Sequence, residues 1–230
     1  MWQKFSESFA LNFIKDERWR YLTNGLGVTL KITFFAVLLG LVIGFLVSMI
    51  RSTHENTGKL KLLNAVCGLY LTVIRGTPVV VQLLLIYFGI FGSVRIDKTF
   101  VAVIAFGINS GAYQAEIFRS GIQSIPRGQF EAGRSLGFNY RQTMTNIIMP
   151  QALKNVIPTL ANEFIVLLKE TSVAGYIALE DLTKGGDIIR SRTFAAYMPM
   201  LAVALIYLVM VLIFSRGVEY LEGRLKKSER

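Results

Sequence analysis

The sequence predicts an all-α integral membrane protein with five transmembrane helices, built as a single transmembrane domain over residues 1–230. Three observations predict it. The chain is 53% hydrophobic and 17% charged, with a mean hydropathy of +0.48, whereas a soluble domain carries about a quarter charged residues. Its apolar residues gather into stretches long enough to cross a hydrocarbon core of about 30 Å. Its net charge of +10 lies in the short segments between those stretches, as cytoplasmic loops require. No nucleic-acid-binding motif accompanies that charge, so no nucleic-acid partner is expected.

Residues 1–24 read as an interfacial segment, because Trp2, Phe5, Phe9, Phe13, Trp19 and Tyr21 are rings that favour the membrane surface. The segment lacks the charged-then-apolar plan of a cleaved signal peptide. The first span is Leu26 to Ile50, whose one charge, Lys31, lies near an end where it can snorkel. Gly40 and Gly44 form a G-x-x-x-G pair that permits close helix contact. Arg51 to Lys61 reads as a polar loop. Leu62 to Phe91 is too long for one straight span, at roughly 45 Å if helical. "RGTP" at Arg75 to Pro78 divides it into a partly interfacial helix, Leu62 to Ile74, and a membrane part, Thr77 to Phe91. Cys67, the single cysteine, cannot form an internal disulfide and reads as core packing.

Thr99 to Ile122 is the third span, after the tight loop "GSVRIDK". The fourth runs from about Ile157 to Ala178, with Pro158 read as a helix start. Glu180 to Tyr197 reads as a longer loop with a "KGGD" turn. Met198 to Phe214 is the fifth span, followed by the basic tail "RLKKSER". Placing that tail inside the cell puts 13 Lys and Arg on the cytoplasmic side against 9 outside, so the chain is expected to run N-terminus out and C-terminus in.

Between spans three and four lies residues 124–155, too polar to cross lipid. Pro126 pre-sets a helix, "RGQFEAGRSL" continues it, and Gly137 ends it. Asn139 then caps a second helix, with Gln142 as its capping-box partner. That helix is expected to run to about Met149, with Pro150 as a bend. Two helices with defined ends make a rigid shape. Such a shape can dock a partner and pass on force that a slack loop would absorb.

At these residues the chain resembles the membrane subunits of ABC importers. Their pattern E-A-A-x3-G-x9-I-x-L-P is matched in spacing by Glu131, Ala132, Gly133, Gly137, Ile147, Met149 and Pro150, with Gly133 in place of the second alanine and Met149 in place of leucine. "RGTPVVVQLLLIYFG", "INSGAYQAEIFRSGIQSIPRGQ" and "LANEFIVLLKETS" are similar to the polar amino-acid uptake branch, and the resemblance covers roughly residues 20–222. It implies a type I ABC importer transmembrane fold in a bacterial-type cytoplasmic membrane. It makes residues 124–155 a cytoplasmic coupling-helix loop. There Gln129, Glu131, Ala132, Arg134, Ser135, Leu136, Gly137 and Phe138 would meet an ABC ATPase subunit. It also implies a second permease subunit, as a homodimer or a heterodimer, and an extracytoplasmic substrate-binding protein. The sequence itself holds no G-x-x-x-x-G-K-[ST] phosphate loop. ATP and Mg are therefore expected on the partner ATPase, no cofactor on this chain, and no enzymatic activity of its own. No metal cluster or nucleophile–base pair is present, and His54, the only histidine, reads as solvated.

Polar groups inside apolar spans are costly, about 2.5–3.5 kcal/mol for a central charge, and they face protein or water. Span three carries Asn109, Tyr113 and Glu116, spaced to share a face about 60° wide. Span four carries Glu163 and Glu170 on one face, about 10 Å apart, with Asn162 and Lys169 one step round. Gln82 falls one heptad after Arg75. Two readings stand. These groups pair between helices, with Glu163 meeting Arg75 or a lysine, or they line a pathway for an amino-acid substrate surrounded by membrane lipid. Glu163 deep in the membrane favours a basic amino acid, arginine, lysine or histidine. Glutamine, glutamate and cystine remain alternatives. The rival class is an ATP-independent channel, which has no use for the ordered helix pair.

Overall fold

The computed structural model describes residues 2–227, with side chains over residues 3–225, and no strand occurs among them. Helix α1 (Trp2–Phe9) leads through a π-turn and a 3-10 turn into α2 (Trp19–Thr57). With 39 residues, α2 is about 58 Å long. It starts ahead of the expected span and takes in most of the expected loop 51–61. That stretch is polar yet helical, and it ends only at Gly58, whose φ of 68° is left-handed.

α5 (Lys98–Gln123) lies along α2. A Cβ on Gly40 would come within 2.6 Å of the Gln114 side chain, and one on Gly44 within 2.8 Å of the Ala115 backbone nitrogen. The G-x-x-x-G pair therefore does what its spacing predicts. Lipid is as apolar as leucine, so only such close approach gains contact energy between membrane helices. Asp97 starts α5 by accepting the Phe100 N–H, which holds its carboxyl below the usual carboxylate range.

α3 (Lys61–Arg75) and α4 (Val79–Leu84, continued by a π-turn to Ile90) meet at a bend of 108°. Pro78 offers no N–H and bars its predecessor from helical geometry, so the break falls at "RGTP" as expected. The Tyr70 hydroxyl donates to the Ile108 carbonyl at 2.6 Å and ties α3 to α5.

α6 (Arg127–Ser135) and α7 (Tyr140–Thr143) form the polar helix pair. Here the structure corrects two expectations. α7 does not stop near Met149. It passes through a π-turn, Met144–Ile148, into α8 (Met149–Glu170), and Pro158 lies inside α8 instead of starting it. The wide π-turn relieves the crowding that Pro150 would impose on the preceding turn. Burial of Ile148, Ala152, Val156 and Leu167 along one face outweighs the two lost N–H groups.

The expected loop 180–197 is largely a helix, α9 (Leu182–Thr193). The Asp181 carboxylate caps it by accepting the Thr183 and Lys184 N–H groups at 3.1 Å. Gly185 and Gly186, read as a turn, are helical. A Cβ on Gly185 would strike the Tyr21 backbone of α2, and one on Gly186 the Val203 side chain. α10 (Met198–Lys227) closes the chain. The five membrane helices are α2, the bent α3–α4 pair, α5, α8 and α10. α2, α10 and the bent pair are apolar enough to cross alone. α5 and α8 carry more polar residues: Asn109, Ser110, Gln114 and Glu163 are buried against protein, while Asn162 and Lys169 of α8 stay exposed. One core cluster joins Ile32, Ala36, Leu83, Phe106 and Leu167, and a second joins Phe13, Leu168, Leu182, Ile189 and Val203.

Candidate functional site

The α6–α7 hook is held at the turn that joins its two helices. Gly137, at φ 77°, reverses the chain. Its N–H reaches the Arg134 carbonyl at 2.9 Å, and the Phe138 N–H reaches that of Gly133 at 3.0 Å. Asn139 and Gln142 then exchange two bonds of 2.9 Å as a capping box. Gly133 stands where a Cβ would lie 2.6 Å from the Thr143 methyl, so the missing side chain lets α6 sit close on α7. Phe130 and Tyr140 pack onto Ile122, Ile125, Met144 and Ile148, which roots the hook in the bundle. The expected docking residues lie outward. Glu131, Ala132, Arg134, Ser135 and Gly137 are exposed, Gln129 and Phe138 are half-buried, and Leu136 is 70% exposed. A cleft of about 610 Å³ separates α6 from the end of α2 and is lined by Ser52, Glu55, Arg119, Arg127, Glu131 and Arg134. α9 packs at the opposite end of α2, against Gly25 and Thr29.

The intramembrane polar residues sort into three groups. In the first, Gln82 folds back on the α3–α4 break. Its amide donates to the Ile74 carbonyl at 2.7 Å, the Thr77 carbonyl at 3.0 Å and the Thr77 hydroxyl at 2.8 Å. Its oxygen accepts from Asn109 at 2.9 Å. The heptad alignment of Gln82 with Arg75 is lost to the bend between them.

In the second group, Tyr113 and Glu116 meet Arg75 of α3. The guanidinium sits 5.9 Å from the Tyr113 ring centre and 3.7 Å from a Glu116 oxygen. Arg119 holds Glu116 more closely, at 2.8 and 3.2 Å. The expected meeting of Glu163 with Arg75 does not occur.

In the third group, Glu163 is buried and accepts from the Ser110 hydroxyl at 3.1 Å, which in turn accepts from Gln114 at 2.8 Å. Sequence reading missed Ser110 and Gln114. Their one signal was their position beside Asn109 and Tyr113 on α5. Asn162, next to Glu163, turns outward, as does Lys169, while Glu170 is half-buried. With Asn155 and Thr159 they make an exposed polar row down α8. Asn155, Thr159, Glu116, Ser120 and Ser124 line a cleft of about 480 Å³ between α5 and α8.

Residues 36–227 match the family described as the binding-protein-dependent transport system inner membrane component. The arginine transport system permease protein ArtQ of Bacillus subtilis is 34% identical over 91% of this chain and 94% of its own length. A protein of Rickettsia typhi, provisionally named the glutamine transport system permease protein GlnP, is 36% identical over 89% of this chain and 93% of its own. A solved amino acid ABC transporter with histidines superposes with a TM-score of 0.84 at 42% identity, over 92% of this chain and 98% of that one. The chain belongs to this family as an amino-acid ABC transporter permease. Permease subunits of ABC transporters work with ATPase and binding-protein partners. This permease presents a polar hook at one end and a polar cleft between α5 and α8, two features that a lipid-facing helix bundle does not otherwise need.

Proposed function

We propose that this permease moves a polar amino acid across the cytoplasmic membrane by alternating access, driven by a separate ABC ATPase that grips the α6–α7 hook. The observation that carries the reading is the hook itself: α6 closed by the left-handed Gly137 and α7 opened by the Asn139–Gln142 box, with Leu136 bare at the turn between them. Gln129, Glu131, Ala132, Arg134, Ser135, Leu136, Gly137 and Phe138 form the gripping surface. ATP and Mg stay on the ATPase. The hook lies in the cytoplasm, with the N-terminus outside and the C-terminus inside. A second permease subunit, identical or closely related, faces the polar row of α8. A binding protein delivers substrate at the end that carries α9.

Lipid does not tolerate an exposed polar row, so Tyr113, Glu116, Asn162 and Lys169 line the pathway, while Gln82, Asn109, Glu163 and Glu170 support it from behind. Basic amino acids are the favoured cargo, because Glu163 stands directly behind Asn162. The arginine-transport relative and the neighbour solved with histidines support that preference. The glutamine-transport relative makes glutamine the second reading. Uptake of labelled arginine into proteoliposomes holding the permease, its ATPase and its binding protein tests the proposal. Competition by lysine and histidine is expected. Competition by glutamine alone would overturn the basic preference, and uptake that proceeds without ATP would overturn the coupling.

A further inference from the structure

The row of apolar residues that α10 turns away from the bundle does not stop where the helix does. Leu201, Leu205, Leu208 and Leu212 are exposed at spacings of four, three and four, on one face of a helix apolar enough to cross a membrane. Tyr197 stands four residues before Leu201 and is 87% exposed. Its carbonyl accepts the Leu201 N–H at 2.8 Å, so it continues the same face by one turn. Phe194, just before it, is 95% exposed and sits at a left-handed φ of 54° that ends α9. A phenylalanine in that conformation, with nothing packed on it, gains nothing from the protein interior.

The N-terminal segment is fastened to the same corner. Thr193, the last residue of α9, donates to the Asn12 side chain at 2.7 Å, and Ser8 donates to the Met198 sulfur at 3.6 Å. Phe13 is buried in the cluster that Leu22 of α2 and Leu182 and Ile189 of α9 also join. From it a run of rings at spacings of four leads outward through Phe9 to Phe5, which are 45% and 55% exposed. Rings at the end of a lipid-facing face collect at the membrane–water boundary, where an apolar body and a wet edge are both accommodated.

We infer that Phe5, Phe9, Phe194 and Tyr197 form one lipid-binding foot, set in the interfacial layer of the leaflet at the end of the bundle opposite the hook. The foot clamps the α9–α10 corner to the leaflet, so α1 and α9 keep a fixed depth while the rest of the bundle moves. Its occupant is the membrane surface itself. The inference is independent of which amino acid is carried and of whether the hook meets an ATPase.

Single-tryptophan fluorescence tests it on the full chain in phosphatidylcholine vesicles, with Trp2→Phe and Trp19→Phe as background. Phe194→Trp and Tyr197→Trp are each read, with Leu205→Trp as a marker about 12 Å deeper along the helix. Lipids brominated near the headgroup are expected to quench the first two about two-fold and Leu205→Trp less. Lipids brominated near the chain end should reverse that order. Aqueous iodide should leave Phe194→Trp and Tyr197→Trp largely unquenched. Strong iodide quenching without bromine quenching would overturn the inference. So would shielding that arises only when the binding protein is added, because the foot would then be a protein-docking surface.

Discussion

Glycine does separate jobs at separate positions in this permease, and each is testable. Gly137 is needed for its dihedral, since a left-handed conformation costs another residue about 1–2 kcal/mol. Gly137→Val is expected to distort the hook, so that arginine uptake falls about ten-fold or more while the ATPase subunit still hydrolyses ATP. Parallel uptake and phosphate-release assays in proteoliposomes read this. Gly44 is needed for its missing side chain, and overpacking there costs about 1–3 kcal/mol. Gly44→Val should lower the melting temperature of the detergent-solubilised protein by several degrees. Gly137 and the Asn139–Gln142 box were legible in the sequence because a cap is decided within four residues. Gly133, Gly185 and Gly186 were not, because what requires them is Thr143, Val203 and the backbone of Tyr21. Glu163 was legible as an intramembrane carboxylate, but its partner Ser110 lies 53 positions away on another helix. Glu163→Gln keeps that hydrogen bond and removes the charge. It should slow arginine and lysine uptake more than glutamine uptake, and equal rates for all three would take Glu163 out of the pathway.

Among the elements, the bent α3–α4 pair shows what holds a helix break in a membrane. The break at Pro78 frees carbonyls that lipid cannot solvate, and the Gln82 amide takes up those of Ile74 and Thr77. Gln82→Ala leaves these groups orphaned at about 1–3 kcal/mol each. A clear loss of melting temperature is expected together with slower uptake. Gln82→Asn, too short to reach both carbonyls, should fall between the two. α9 depends in the same way on its cap, and Asp181→Ala should cost about 1 kcal/mol, read as faster proteolysis of residues 180–197. The break was visible because proline writes it into the sequence. The helix was not, because Gly185 and Gly186 argue locally for a turn, and only burial of Leu182 and Ile189 overrides them.

For the whole molecule, coupling to a cytoplasmic ATPase requires one orientation in the membrane. In a Cys67→Ala background, Ser135→Cys on the hook is expected to react with an impermeant maleimide only from the cytoplasmic side, and Arg192→Cys on α9 only from outside. The opposite labelling would place the hook away from any ATPase. The all-helical membrane class, the break at "RGTP", and the Gly137 turn and Asn139–Gln142 box of the hook were legible along the chain. Each of these follows from composition, hydrophobic length or a cap, which are local properties of the chain. Helix packing alone brings Gln82 and Asn109 to the helix break, Arg75 to Glu116 and Tyr113, and Glu163 to Ser110 while Asn162 faces out. The reason is geometric: a helix turns 100° per residue, so adjacent polar residues point to different neighbours, and which neighbour stands there is set by how closely the glycine-bearing faces of other helices approach.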